Sequence, residues 1–270
     1  MLKRIIVALI LAPILVYVVL FAPVIVTALC AGFFCAFAAF ELLYKTGLVK
    51  NVRMVAYSML TAFLVCLWSY FGCSRIVAVL GLLVFYMLLF GEIMLSQLKI
   101  PFSQAAMCLV AGAVIPFFFS GLVRILCVSY GRYFIMLPFV AAFMPDIGAY
   151  FVGVLFGKHK LCPLISPKKT VEGLIGGILF GVLGLVAYGA ILQFLFDLSV
   201  NYWFVVIIGL TSSAFSVFGD LSFSVIKRQT GIKDYGDLFP GHGGVLDRFD
   251  SVIIVTPLIE VLLSLIPMVS

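Results

Sequence analysis

An all-α, polytopic membrane bundle of about nine transmembrane helices with a cytoplasmic N-terminus is the fold class this sequence predicts, and three observations predict it. The 270 residues are 65% hydrophobic and 10% charged, whereas soluble domains are about 45–50% apolar and about 25% charged. Apolar runs close to the roughly 20 residues needed to cross a bilayer recur along the whole chain. Period-two alternation in segments of about ten residues, the mark of a transmembrane barrel, is absent from the sequence. A soluble enzyme, a disordered tail and a nucleic-acid-binding module are excluded, despite the net charge of +6.

The run from Ile5 to Phe40 is too long for one crossing, and Pro13 and Pro23 inside it suggest two helices turning near Ala22. Further spans are predicted at Met54–Phe71, Ile76–Leu95, Ala105–Val128, Tyr133–Phe156, Val171–Phe196, Asn201–Ile226 and Phe249–Val269. Lys and Arg in the connections set the orientation. With the N-terminus inside, 14 of the 17 basic residues fall on the cytoplasmic side, and Arg75, Arg124 and Arg132 fall outside. Lys3 and Arg4 before an apolar run also suit a signal peptide, but no small-x-small cleavage site follows, so a retained first span is expected. The cysteines show no metal-ligand spacing and read as small apolar residues.

Charge distribution divides the chain. Eight of the eleven acidic residues lie between Asp146 and Asp250. Residues 1–132 therefore read as a scaffold of about five helices, and 133–270 as the catalytic region. That region carries longer cytoplasmic loops at 157–170 and 227–248, both rich in Gly, Pro, Lys and Asp. Loops held by a rigid frame are where function concentrates.

Asp146 sits mid-span in Pro145-Asp-Ile-Gly-Ala-Tyr150, roughly 15 Å from the predicted cytoplasmic end. A carboxylate there costs several kcal/mol unless it meets a partner or water, which makes function the default reading. Glu260 lies at comparable depth without small or polar neighbours. Ser216, Asp220, Ser224, Lys227 and Arg228 are spaced to line one helix face, and such a stripe must border a hydrated cavity. Asp247 and Asp250, three apart at a helix start, project to one side and suit a divalent cation bridging to phosphate. Gly241, Gly243 and Gly244 allow backbone N–H groups to approach an anion, and Lys227, Arg228, Lys233 and Arg248 supply countercharge. His242, between glycines, suits either a phosphate contact or the turn itself. Ser166-Pro-Lys-Lys-Thr-Val-Glu-Gly173 places Lys168 and Lys169 just before a helix N-terminus, which also attracts phosphate. Gly173, Gly177 and Gly181 read as a helix-packing face.

Taken in order, Ser224, Lys227, Arg228, Lys233, Asp234, Gly236, Phe239, His242, Gly243, Gly244, Asp247, Arg248 and Asp250 resemble the C-terminal signature of phosphatidate cytidylyltransferases (CDP-diacylglycerol synthases). Asp146 and the Ser166–Gly173 segment are also similar to family features. The resemblance begins near Asp146; the earlier spans match only as apolar helices. It implies transfer of CMP from CTP to phosphatidate, giving CDP-diacylglycerol and pyrophosphate. It further implies Mg²⁺, as one ion or two, on Asp220, Asp247 and Asp250, and a homodimer in a bacterial-type inner membrane. The active site would face the cytoplasm, with catalysis by those aspartates, Lys227 and Arg228. Substrate binding would fall to Asp146, Ser166, Lys168, Lys169, Ser224, Lys233, His242, Gly243, Gly244 and Arg248. Two other readings use the same residues: a polyprenol kinase-like transfer of the γ-phosphate from CTP, and a cation or proton path through Asp146, Asp220 and Glu260. The ionisable groups gather on one side of the predicted bilayer, which disfavours transport.

Overall fold

The computed structural model describes residues 13–72, 74–238, 243–266 and 268. A helix covers residues 13–21 (α1), and residues 5–12 of the expected first span lie outside the described residues. It is followed by α2 (Val24–Lys45), α3 (Val52–Phe71), α4 (Arg75–Leu95), α5 (Phe102–Leu126), α6 (Gly131–Phe156), α7 (Val171–Phe196) and α8 (Tyr202–Gln229). The final helix, α9, is Leu246–Leu265. Among the described residues, the seven helices α2 to α8 are long and apolar enough to cross a membrane.

Within the described residues, the spans predicted after the first fall on helices, with ends displaced by a few residues. The last is displaced most: α9 starts at Leu246, so Asp247, Arg248 and Asp250 lie within its first two turns. The 157–170 connection is not an irregular loop. It folds as an antiparallel hairpin of β1 (Lys160–Cys162) and β2 (Ser166–Thr170), with Lys160 opposite Thr170 and Cys162 opposite Ser166. This small sheet is an addition to the expected all-α architecture.

Two compact units form. The first contains Met1–Ser129 with Gln229–Phe249, and the second Tyr130–Arg228 with Asp250–Ser270. The sequence reading kept the 227–248 connection with the second half, whereas most of it clusters with the first unit.

In the first unit the core is built by helix packing in an apolar interior. Phe34 stacks on Phe119 at 4.6 Å between ring centroids, and Phe249 meets Phe34 edge-on at 4.4 Å. Gly32 and Gly112 leave room for the rings of Phe63 and Phe85. The buried Glu92 carboxylate accepts from the Tyr57 hydroxyl and the Asn51 amide and pairs with Arg53 at 3.4 Å. Asn51 also caps α3 by accepting from the Arg53 N–H, and Gly72 ends that helix in the left-handed conformation at φ 57°.

In the second unit α6 and α7 pack with their backbones unusually close. A Cβ at Gly177 would lie 2.9 Å from the Pro145 carbonyl oxygen, and one at Gly173 the same distance from that of Ala149. Gly176 and Gly184 accommodate Val152 and Met144 in the same way. The expected packing role of Gly173, Gly177 and Gly181 is what the structure contains. Small residues let helices gain dispersion contact where lipid removes the hydrophobic drive for association. Helix α8 joins through the buried Ser216 hydroxyl, which donates to the Ala142 carbonyl, and α9 through the Ser251 hydroxyl, which donates to the Ser216 carbonyl.

Two consequences are measurable by thermal unfolding in detergent. Gly177→Val should destabilise the protein by about 1–3 kcal/mol, since its side chain meets backbone that cannot yield without parting α6 from α7. Gly91→Ala, in α4 with nothing within 4 Å of the added carbon, should be neutral or stabilising by up to about 1 kcal/mol. Equal effects at the two positions would contradict the packing assigned to α6 and α7.

Candidate active site

The site residues of the second unit are set by three local features. Thr170 ends β2 and caps α7, its hydroxyl accepting the Gly173 N–H at 3.1 Å. Glu172 in the first turn of α7 accepts the backbone N–H groups of Lys158 and His159 and binds His159 Nδ1 at 2.6 Å. At the other edge, Arg228 Nε donates to the Ile165 carbonyl in the hairpin turn. The hairpin is thus fastened to the start of α7 and the end of α8, and β2 carries Ser166, Lys168 and Lys169 at a fixed register.

Those residues face a cavity of about 250 Å³ lined by Asp146, Tyr150, Ser166, Lys168, Lys169 and Thr170 with apolar neighbours. Asp146 belongs to the middle of α6, yet its side chain is exposed. The cavity explains that exposure: this carboxylate borders a polar opening and not packed helices. Lys169 pairs with the Asp220 carboxylate, both side chains largely buried. Its ammonium nitrogen is fully enclosed.

Asp250 is 8% exposed, and its Oδ1 accepts the Ser251 N–H at 2.7 Å. It lies within electrostatic reach of Asp220, Asp146 and Lys227, and Asp146 within reach of Lys169 and Asp220. The second unit therefore gathers three carboxylates and two lysines from α6, β2, α8 and α9. The expected polar face of α8 is divided in use. Asp220 and Lys227 serve this cluster, whereas Ser216 is buried and holds α6, and Ser224 is buried as well.

The first unit holds the rest of the expected residues. Asp247 Oδ2 accepts the N–H groups of Tyr235 at 2.7 Å and Gly244 at 3.0 Å, so this aspartate organises the turn into α9. Lys233 and Arg248 are exposed. Gly243 takes φ 87°, a conformation that favours glycine. His242 and Gly241 lie outside the described residues. The sequence suggested that the glycine N–H groups cradle an anion. In the structure the anions at this turn are carboxylates of the chain itself. Besides Asp247, Glu41 of α2 accepts the Val245 N–H on Oε1 and the Leu246 N–H on Oε2, each at 3.0 Å.

Sequence reasoning passed over Glu41, one of three acidic residues outside the dense segment. A usable signal was present: a carboxylate in an otherwise apolar span, the same rule that singled out Asp146. Among the described residues, no group of three or more His, Cys, Asp or Glu is arranged to hold a metal by itself.

Comparison with known proteins agrees with this constellation. The model of the cytidylyltransferase family matches residues 2–266. The chain is similar to a phosphatidate cytidylyltransferase of Staphylococcus epidermidis, 38% identical over 189 residues that make up 70% of each chain. It is also similar to those of Staphylococcus haemolyticus, 39% identical over 178 residues and 65% of each chain, and Staphylococcus aureus, 43% identical over 171 residues and 63% of each. With membrane-length helices throughout and a family match over nearly its whole length, the chain belongs to the cytidylyltransferase family and is an integral-membrane nucleotidyltransferase.

Proposed function

We propose that this enzyme transfers CMP from CTP to phosphatidate, releasing pyrophosphate and leaving CDP-diacylglycerol in the membrane. The observation that carries the reading is the carboxylate and lysine cluster of Asp146, Asp220, Asp250, Lys169 and Lys227 beside a polar cavity in a membrane helix bundle. A lipid phosphate and a nucleotide triphosphate both need cationic partners, and a lipid substrate needs them at the membrane. The relatives named above carry this activity in their names.

The residues suit a magnesium ion. Asp220 and Asp250 offer hard carboxylate oxygens, with one oxygen of each engaged by Lys169 and by the Ser251 N–H. Magnesium is commonly held by one or two carboxylates with substrate phosphates and water completing its shell. Asp220 and Asp250 would hold it, and the chemistry it would supply there is positive charge against the negative charge of the phosphates in the transfer. Asp247, expected from the resemblance to join the metal carboxylates, has a further task in holding the turn at Tyr235 and Gly244.

The chain's own residues would then bind, orient and balance charge. Lys168 and Lys169 on β2, with Ser166, would receive a phosphate at the cavity mouth. Lys169 would exchange its Asp220 partner for a phosphate oxygen, which frees that carboxylate for the cation. Lys227 and Arg228 would stabilise the triphosphate, and the resemblance assigns further substrate contacts to Lys233, His242, Gly243 and Gly244 before α9 and to Arg248 in its first turn. Asp146 would keep the cavity polar. An oxygen of phosphatidate forms the new bond to the α-phosphorus of CTP, and the bond from that phosphorus to the β-bridging oxygen breaks. By analogy with phosphoserine, the second pKa of the nucleophile is about 6, so it is already largely dianionic at neutral pH. No general base is required, which fits a cluster without histidine.

The positive-inside pattern supports a cytoplasmic N-terminus and active site, and the resemblance adds a homodimer in a bacterial inner membrane. Light scattering of the detergent-solubilised protein would read the assembly.

The decisive measurement uses purified protein, phosphatidate, Mg²⁺ and CTP labelled on either the α- or the γ-phosphate. Label should enter lipid only from the α position. Entry from the γ position would instead identify a CTP-dependent lipid kinase. Asp250→Ala should lower turnover by at least about 10²–10³-fold, the loss seen when one electrostatic stabiliser is removed. Chelation of divalent ions should stop wild-type turnover, and added Mg²⁺ should restore it. Near-normal turnover by the variant would remove Asp250 from the metal assignment.

A further inference from the structure

Glu41 is 4% exposed, at the cytoplasm-predicted end of α2, where the helix passes into a π-helical turn over Glu41–Lys45. Such turns are rare and occur frequently at functional sites. The two N–H groups it binds belong to Val245 and Leu246, more than 200 residues later in the chain. Leu246 is the first residue of α9. Helix N-termini leave N–H groups without intrahelical partners and carry partial positive charge, so a carboxylate there is stabilised by both effects.

The surroundings are shaped to this carboxylate. A Cβ at Gly236 or at Gly244 would collide with it. Two glycines of the loop are therefore explained by the space Glu41 occupies. Each Glu41 oxygen accepts one N–H, an arrangement a carboxylate suits on both sides. The amide of glutamine would turn a donor toward a donor at one of them. Asp247 binds the same loop from the C-terminal side, at Tyr235 and Gly244. The loop between α8 and α9 is thus suspended between two carboxylates, one local and one remote.

We propose that Glu41 is a positioning residue for nucleotidyl transfer. Its carboxylate fixes the glycine-rich loop and the first turn of α9, and through them the placement of Lys233, Asp247 and Arg248, without touching substrate. The proposal rests on the reading that this loop binds the nucleotide.

Glu41→Gln and Glu41→Asp, in the full chain purified in detergent, test it by steady-state kinetics and by trypsin cleavage after the exposed Lys233. In the Gln variant kcat should fall about 10²-fold, the scale of loss from a small misplacement of reacting groups. The KM for CTP should rise with it, by about tenfold, because a loosened loop binds and orients less well. Cleavage after Lys233 should accelerate, since local opening controls proteolysis. The Asp variant, which keeps the charge on a stem one methylene shorter, should recover part of both losses relative to Gln.

A Gln variant with kcat and KM within about twofold of wild type overturns the proposal. So does a fall in kcat at unchanged KM, which signals a smaller folded fraction, and so does unfolding of both variants, which marks a purely structural carboxylate. Wild-type protein that makes no CDP-lipid overturns the underlying reaction instead. The trypsin comparison remains readable in that case and reports on the clamp alone.

Discussion

Backbone-level contact between α6 and α7 is the constraint on which the second unit depends. Gly173, Gly176, Gly177, Gly181 and Gly184 present a nearly side-chain-free surface to α6, so the two helices approach until backbone and short side chains touch. That approach holds Asp146 close to the strand that precedes α7. It also fixes the hairpin, because Thr170 caps α7 while Gly153 of α6 and Gly157 just after it leave room for the Thr170 side chain. Lys169 is then delivered to Asp220 by the register of a short strand whose end is a helix cap. Long lysine side chains normally have many rotamers to lose, and anchoring their backbone on both sides reduces how much remains to be ordered when an anion arrives.

The first unit solves a different problem with the same chemistry. A loop rich in glycine has little side-chain surface to bury and a large conformational entropy to overcome. Here the backbone N–H groups themselves are the ordering element, and carboxylates are their partners. Glu41 approaches from α2 and Asp247 from the loop's own C-terminal end. The helix carboxylates of this protein thus fall into two kinds. Glu41 and Glu92 are saturated by hydrogen bonds and ion pairs within the first unit. Asp146 opens onto a cavity and Asp220 leans on a lysine.

How much of this the sequence discloses depends on the range of the physics involved. Membrane helices follow from apolar length, a local property, and Val171–Phe196 emerges at the predicted residues. The glycine face of α7 is also local, because spacing alone says which residues share a side. The hairpin is harder to read. Lys-Leu-Cys and Ser-Pro-Lys-Lys-Thr have no alternating apolar face and become strands through Thr170 capping and the Arg228 bond to Ile165. The grouping of Asp146, Lys169, Asp220 and Asp250 was expected from residue type and resemblance, yet their partners were not, since pairing Lys169 with Asp220 depends on how three helices and a strand pack. Glu41 illustrates the far limit. Its role is defined wholly by groups two hundred positions away, and a lone glutamate near a helix end carries no local sign of them.

The ion pair between Lys169 and Asp220 also bears on what the cavity admits. A ligand that separates the two must replace, for each, the charge it removes. An anionic phosphate satisfies the lysine, and a cation travelling with it satisfies the aspartate. An uncharged lipid of the same acyl composition offers neither, and would leave two ions exposed to a medium of low dielectric constant, a cost of several kcal/mol. On the proposed reaction, selection for a phosphorylated headgroup over its dephosphorylated counterpart would be set at the door of the site, by a contact that exists before any substrate arrives.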